Sequence, residues 1–429
     1  MKKYEEYTRS ELQQERDLLM KKYKEYQDLH LDLNMARGKP GADQLALSMP
    51  MLDVLNSESD CRDKYGTDAR NYGELPGLKE ARELFAELMG ISWEETIVVG
   101  SSSLTFMYDC VARAMLLGVL GSEKPWCRYE KPKFLCPVPG YDRHFTICES
   151  LGIEMIPVEL DETGPDMDAV RELVKDESVK GIWCVPKYTN PLGGCYSDET
   201  VRALASMETA AKDFRIFWDN AYCVHYIYED VPVLNMLEEC KKAGNPDRVF
   251  MFGSTSKITF PGAGVGFFGA SKGNVDFIQK QIGAEAISWD KMNMLRHVRF
   301  FGSAQGILDL MDKHAELLRP KFDAVLNALE AEIGSRGCGR WVSPAGGYFV
   351  TFMAPDGCAA RVNALCKNAG VVMTGPGATH PYHKDPKDSV LRIAPSFPPV
   401  GELQKAMEVF CVAVRLAAVE KLLSQPETV

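Results

Sequence analysis

The chain has 429 residues, too many for one simple core, so two domains or a large domain with a smaller lobe is expected. Hydrophobic residues make up 45% and charged residues 25%, the profile of a soluble globular protein. A formal charge of −11 argues against a nucleic-acid partner, whose phosphates require a basic surface, and no run approaches 18 apolar residues, which argues against a membrane-spanning helix.

The first residues, Lys2-Lys3-Tyr4-Glu5-Glu6, are charged and lack the apolar stretch of a secretory signal, so a cytoplasmic protein is expected. The 13 cysteines show no C-x-x-C spacing and no His/Cys cluster, which points to buried, reduced thiols and no metal site. Residues 9–30 read as a charged amphipathic helix, with Ser10 and Gln13 as a capping box and Leu12, Leu19, Tyr23 and Tyr26 on one face. A Gly- and Pro-containing loop follows at 33–41. Leu78, Phe85 and Leu88 recur at helical spacing before Gly90, a C-cap. Val98-Val99-Gly100-Ser101-Ser102-Ser103 opens another helix, with Leu104, Tyr108, Val111 and Met115 on its face. Free amides and hydroxyls at such a start form either a phosphate site or no more than an N-cap.

The middle of the chain alternates helical patterns with four apolar runs, at 133–137, 181–185, 215–218 and 248–252. Continuous apolar runs between helices predict an α/β fold with a mainly parallel sheet covered on both faces. From about residue 305 long helices give way to mixed elements, a second lobe that the N-terminal helix joins. The expected division is 1–48 as part of the small domain, 49–304 as the large domain and 305–429 as the small C-terminal domain.

Ligands of such sheets bind beyond the carboxyl ends of the strands, so the residues after each run carry the interest. The first run leads to Tyr141 and His144, the second to Asn190-Pro191, the third to Asp219-Asn220-Ala221-Tyr222. The fourth leads to Ser254-Thr255-Ser256-Lys257 and then Pro261-Gly262-Ala263-Gly264. A lysine among small hydroxyl residues at a strand end can lose its proton and attack an aldehyde, although a lone lysine is more often a solvated one. An Asp at a strand end is either a helix cap or a carboxylate set against a ring nitrogen. Asn190-Pro191 alone is ordinary turn chemistry, and Arg392, in Val390-Leu391-Arg392-Ile393, carries a fork suited to a carboxylate or to a structural ion pair.

In this order and spacing, these elements resemble the fold-type I pyridoxal-phosphate (PLP) enzymes, specifically the class I/II aminotransferases, over nearly the whole chain. The resemblance implies a large domain with a mainly parallel seven-stranded sheet, a smaller α+β domain, a PLP cofactor and a homodimer. It implies Lys257 as the Schiff-base lysine, Asp219 as partner of the pyridine nitrogen, Asn190 and Tyr222 as phenolate contacts, Tyr141 as the stacking ring and His144 as support for the Asp. Ser101, Ser102 and Ser254, with Ser103 and Ser256 beside them, match the phosphate site. Tyr72 matches a tyrosine that reaches the neighbouring subunit's phosphate. Arg392 matches the arginine that grips the substrate α-carboxylate, with Asn190 and Gly38 near it. The stretch 254–268 and Leu295-Arg296-His297-Val298-Arg299 look like the divergent branch of aspartate aminotransferases related to the aminotransferase domain of MocR-type regulators. One departure stands out: Gly264 occupies the slot where relatives place a phosphate-binding arginine.

The activity implied is ping-pong transfer of an amino group between aspartate or glutamate and 2-oxoglutarate or oxaloacetate. A dicarboxylic substrate needs a second cation, for which Lys291, Arg296 and Arg299 are the candidates. A transaminase or β-lyase acting on aromatic or neutral amino acids would use the same core. A PLP-sensing domain without turnover is the reading from another class, disfavoured because a regulator would need a DNA-binding module ahead of this domain.

Overall fold

The computed structural model describes residues 2–426. Met1 and residues 427–429, the outer ends of the expected ranges 1–48 and 305–429, lie outside the described residues.

Helix α1 (Arg9–Asp28) starts where expected, but its cap lies two residues ahead of the expected Ser10. The cap is Thr8, whose hydroxyl accepts from the Glu11 N–H at 3.2 Å while the Glu11 carboxylate accepts from the Thr8 N–H at 2.6 Å. A charged carboxylate in the first turn suits the positive end of a helix better than the Gln13 amide would, which explains the choice. Leu12, Leu19, Tyr23 and Tyr26 are buried, as their spacing predicts. After β1 (Leu33–Asn34) and α2 (Ala42–Leu47), helix α3 (Lys79–Met89) stops at Gly90, whose φ of +66° places it in the left-handed region that glycine adopts without strain.

The central elements follow in order: β2 (Thr96–Val99), α4 (Ser103–Leu117), β3 (Lys133–Val138), α5 (Asp142–Ser150), β4 (Glu154–Asp161), β5 (Gly164–Pro165), α6 (Met167–Leu173), β6 (Val179–Cys184), α7 (Asp198–Ser206), β7 (Arg215–Asp219), α8 (Met236–Lys242), β8 (Val249–Ser254), β9 (Gly266–Gly269), α9 (Lys272–Ile282) and α10 (Lys291–Phe301). Their sheet has the order β2-β9-β8-β7-β6-β3-β4-β5. Strands β3, β4, β6, β7 and β8 are parallel, β9 runs against both β2 and β8, and the two-residue β5 hooks antiparallel onto the edge of β4. Every residue of β6 and β7 is buried, which is why these strands read as unbroken apolar runs. Helix α4 buries Val111 and Met115 as expected, but Tyr108 is exposed and Phe106, Met107 and Cys110 are buried in addition. Phe106 packs edge-on against Phe268 of β9, so the aromatic contact fixes the helix rotation.

The chain continues through α11 (Ala304–Glu332), β10 (Arg340–Trp341), β11 (Val350–Met353), α12 (Ala359–Asn368), β12 (Val371–Val372), β13 (Val390–Ile393) and α13 (Val400–Ser424). Strands β10, β11 and β13 form an antiparallel sheet, and β1 pairs with β12. Two apolar clusters cover the large sheet, and a third gathers α1, α12, α13, β11 and β13. Helix α11 belongs to both regions: Ala304, Ile307 and Met311 pack with the large sheet, Leu318, Phe322 and Leu329 with the third cluster.

In the large sheet the chain turns back between β3 and β6, with β4 added on one side and β7 and β8 on the other. That reversal opens a crevice at the strands' carboxyl ends.

Candidate active site

A cavity of about 410 Å³ occupies the crevice. Its wall includes Asp219 at the end of β7, Tyr141, Asn190, Tyr222 and Lys257 from the loops after β3, β6, β7 and β8, and Gly38 and Arg392 from the segments around β1 and β13. Seven of the residues singled out from the sequence therefore meet at one place.

Asp219 ends β7 and is 2% exposed. His144 Nε2 lies 3.0 Å from its Oδ2, and the His144 ring is stacked on Trp183 at 4.3 Å between centroids, so the imidazole has little freedom to leave. The other oxygen, Oδ1, is buried with no hydrogen-bond partner in the chain. An ionised carboxylate oxygen in that state is costly unless something donates to it.

Lys257 follows β8 and places Nζ 4.6 Å from the centre of the Tyr222 ring. Burial pulls the amine below its ordinary pKa, and the nearby Asp219 carboxylate partly restores it. Burial pushes the Tyr222 and Tyr141 phenols well above their ordinary range, so both keep their protons at neutral pH and can donate.

The lysine loop is clamped from α10. His297 Nδ1 lies 2.8 Å from the Asn293 carbonyl, which requires a proton there and leaves Nε2 to face the Thr255 and Thr259 hydroxyls at 3.1 and 3.0 Å. The Asn293 amide donates to the carbonyls of Ala263 and Gly264, both at 3.0 Å. From the other lobe, the Tyr348 hydroxyl donates to the Lys257 carbonyl at 3.2 Å.

Arg392, on β13, is 8% exposed. It reaches Asn190 Oδ1 at 3.4 Å and Thr374 Oγ1 at 3.2 Å, and its guanidinium carbon lies 4.6 Å from the centre of the Phe349 ring. Its Nε is buried without a partner. Phe349 also explains Gly38: a Cβ there would come within 2.4 Å of the ring.

The serines lie to one side of this cavity. Ser254 Oγ donates to Ser256 Oγ at 3.1 Å, and the space at Gly264 is bounded by the Ser101 carbonyl and Ser256 Oγ, 2.9 and 3.3 Å from where a Cβ would be. No side chain fits at Gly264 without a shift of its neighbours. Ser102 caps α4 through the Thr105 N–H. Ser103, the first residue of α4, is 8% exposed.

The candidate second cations do not line the cavity. Lys291 donates to the Gly73 carbonyl at 2.8 Å, and Arg299 donates to the carbonyls of Asp60 and Arg62, so both hold the 60–73 segment in place. Arg296, on the same helix, is also outside the cavity wall. Tyr72, on the segment they hold, is 79% exposed and contributes nothing to this chain's own cavity. Conversely, the wall includes Arg37, Lys39, Asp142 and Arg143, which sequence reasoning passed over. The only signal was position: two of them flank Gly38 and the others follow Tyr141.

A family model described as aspartate amino-transferase matches residues 7–426. The chain belongs to the aspartate aminotransferase family. An aspartate aminotransferase of Corynebacterium glutamicum is 43% identical over 94% of this chain and 93% of its own length. The crystal structure of an aspartate transaminase from that organism superposes with a TM-score of 0.95 at 42% identity, covering 97% of this chain and 98% of that one. An α-aminoadipate aminotransferase of Thermus thermophilus, solved with N-(5'-phosphopyridoxyl)-L-leucine, shares the fold at 22% identity and a TM-score of 0.73, over 91% of this chain and 93% of its own. This aminotransferase family member is thus an α/β protein of fold-type I, and an amino acid and a 2-oxo acid are its substrate classes.

Proposed function

We propose that this aminotransferase uses PLP and exchanges amino groups between aspartate or glutamate and 2-oxoglutarate or oxaloacetate. The observation that carries the reading is the unpartnered, buried Asp219 Oδ1 in the same cavity as Lys257 and Arg392. A protonated pyridine nitrogen is the donor that oxygen lacks. When bound, the cofactor ring supplies the electron sink for the negative charge that develops at the substrate Cα.

Asp219, held by His144, would keep the ring nitrogen protonated. Tyr222 and Asn190 would face the ring's phenolic oxygen, and Tyr141 its face. Ser101, Ser102, Ser254 and Ser256 would hold the phosphate around Gly264, where no arginine side chain has room. Arg392 would pair both oxygens of the substrate α-carboxylate, using the Nε that has no partner in the chain. Lys257 would carry the cofactor covalently and, once displaced by the substrate amine, take the proton from Cα as a general base and return one as a general acid. Its lowered pKa favours the neutral amine that the first of these tasks requires.

Tyr72 is read as a contribution to the neighbouring subunit of a homodimer, since it is 79% exposed and does not line this chain's cavity. The same reading divides the chain at 48/49 and 304/305 and places it in the cytoplasm; no helix among the described residues is long and apolar enough to cross a membrane.

The test is steady-state transamination by the purified protein with aspartate and 2-oxoglutarate, compared with aromatic and branched donors. Preference for aspartate and its loss in Lys257→Ala are expected. Full activity in that variant would remove the mechanism.

A further inference from the structure

The cavity carries more positive charge than one carboxylate needs. Apart from Lys257, four cationic side chains line it, Arg37, Lys39, Arg143 and Arg392, against two acids, Asp142 and Asp219. Both acids are engaged: Asp219 by His144 at 3.0 Å, and Asp142 by Arg392 at 3.7 Å. Lys39 sets its ammonium 3.9 Å from the centre of the Phe397 ring. Arg37 and Arg143 remain, exposed at the mouth, and their guanidinium groups make no ion pair or hydrogen bond among the described residues. Two arginines without a partner on the wall of one cavity leave it with positive charge that an anionic ligand can offset. The protein as a whole is acidic, at −11, so this mouth runs against the general charge.

Both arginines are also placed with respect to Arg392. The carbonyl beside Arg37, that of Ala36, accepts from the Thr374 hydroxyl at 2.7 Å, and Thr374 Oγ1 in turn accepts from Arg392 at 3.2 Å. Arg143 follows Asp142, the acid that faces Arg392. The two guanidiniums therefore stem from the two segments that flank the α-carboxylate arginine.

We propose that Arg37 and Arg143 together take the distal carboxylate of a dicarboxylic substrate and set the preference for dicarboxylic over neutral amino acids. This rests on the reading of the cavity as a transamination site. It replaces the α10 cations, two of which are spent on backbone carbonyls.

The experiment measures kcat/KM for aspartate and for alanine in the wild-type holoenzyme and in Arg37→Gln, Arg143→Gln and Arg296→Gln, with calorimetric affinity for succinate and butyrate beside it. Arg37 and Arg143 are exposed, so their replacement leaves the fold intact. Each of these two variants is expected to lose about tenfold more kcat/KM for aspartate than for alanine, chiefly through KM, and about tenfold more affinity for succinate than for butyrate. Arg37→Lys and Arg143→Lys should retain part of the preference. Equal losses for both substrates, or a selective loss in Arg296→Gln alone, would overturn the proposal. A wild-type enzyme that prefers neither aspartate nor succinate would instead refute the substrate reading on which it stands.

Discussion

At the scale of single residues, Asp219 matters most, because its two oxygens have different fates. One is fixed by His144, itself stacked on Trp183; the other is left for a donor from outside the chain. Asp219→Asn keeps the shape and removes the charge, so kcat for transamination should fall by roughly 10³-fold, about 4 kcal/mol in the barrier. Rapid kinetics with aspartate would check this, and a loss under tenfold would mean that the ring nitrogen is not held by this residue. Tyr222→Phe deletes one donor and leaves the ring over which Lys257 sits, so a smaller effect is expected, about tenfold in kcat, the worth of one hydrogen bond to a charged oxygen. Asp219, Asn190, Tyr222 and Lys257 were legible in the sequence because each lies in or just after a buried strand and needs no knowledge of distant segments. Arg37 and Arg143 were not, since their importance comes only from the meeting of the β1 region with the loop after β3.

At the scale of elements, the notable piece is α10. Its sequence promised substrate cations, whereas four of its side chains are structural: Asn293 and His297 pin the lysine loop, and Lys291 and Arg299 pin the 60–73 segment. The charge pattern alone could not separate these uses, because a carbonyl oxygen and a substrate carboxylate attract the same side chains. His297 is buried and neutral, with its pKa lowered by desolvation to about 4, and His314 likewise. In the unfolded chain both would take a proton near pH 6.5. The unfolded state thus binds more protons between pH 6.5 and 4, so stability is complete above 6.5 and falls as the pH drops to 4. The loss is on the order of 3 kcal/mol per histidine. Urea unfolding at a series of pH values should show that slope, and His297→Gln should remove its share; an unchanged slope would mean that His297 is charged in the folded protein. Gly264→Ala belongs to this scale too. Its Cβ would press on the Ser101 carbonyl, and a thermal-unfolding loss of about 1–3 kcal/mol is expected, with weaker cofactor retention. The four buried strands were legible as continuous apolar runs, but β4, with mixed burial and Pro157 within it, and the four-residue β9, bounded by glycines, carry too little pattern to be read.

At the scale of the whole molecule, the site is built by two regions. The large sheet provides Asp219 and Lys257, and the segments around β1 and β13 provide Gly38 and Arg392. Helix α11 runs through both cores, so the two regions share a rigid connection rather than a linker. The exposed Tyr72 implies a further contribution between subunits. If it serves the neighbour's phosphate, mixing the inactive Lys257→Ala protein with a weakened Tyr72→Ala protein should raise activity above the sum of the two, since one site of each hybrid dimer is then intact. No gain after confirmed subunit exchange would place Tyr72 outside the site. The central claim, that Lys257 carries the cofactor and gives it up to aspartate, is tested most directly by borohydride reduction of the PLP-loaded protein followed by peptide mass mapping. The account predicts a phosphopyridoxyl group on the peptide containing Lys257, lost when aspartate is added before reduction; a label on another lysine, or one that aspartate does not displace, would contradict it.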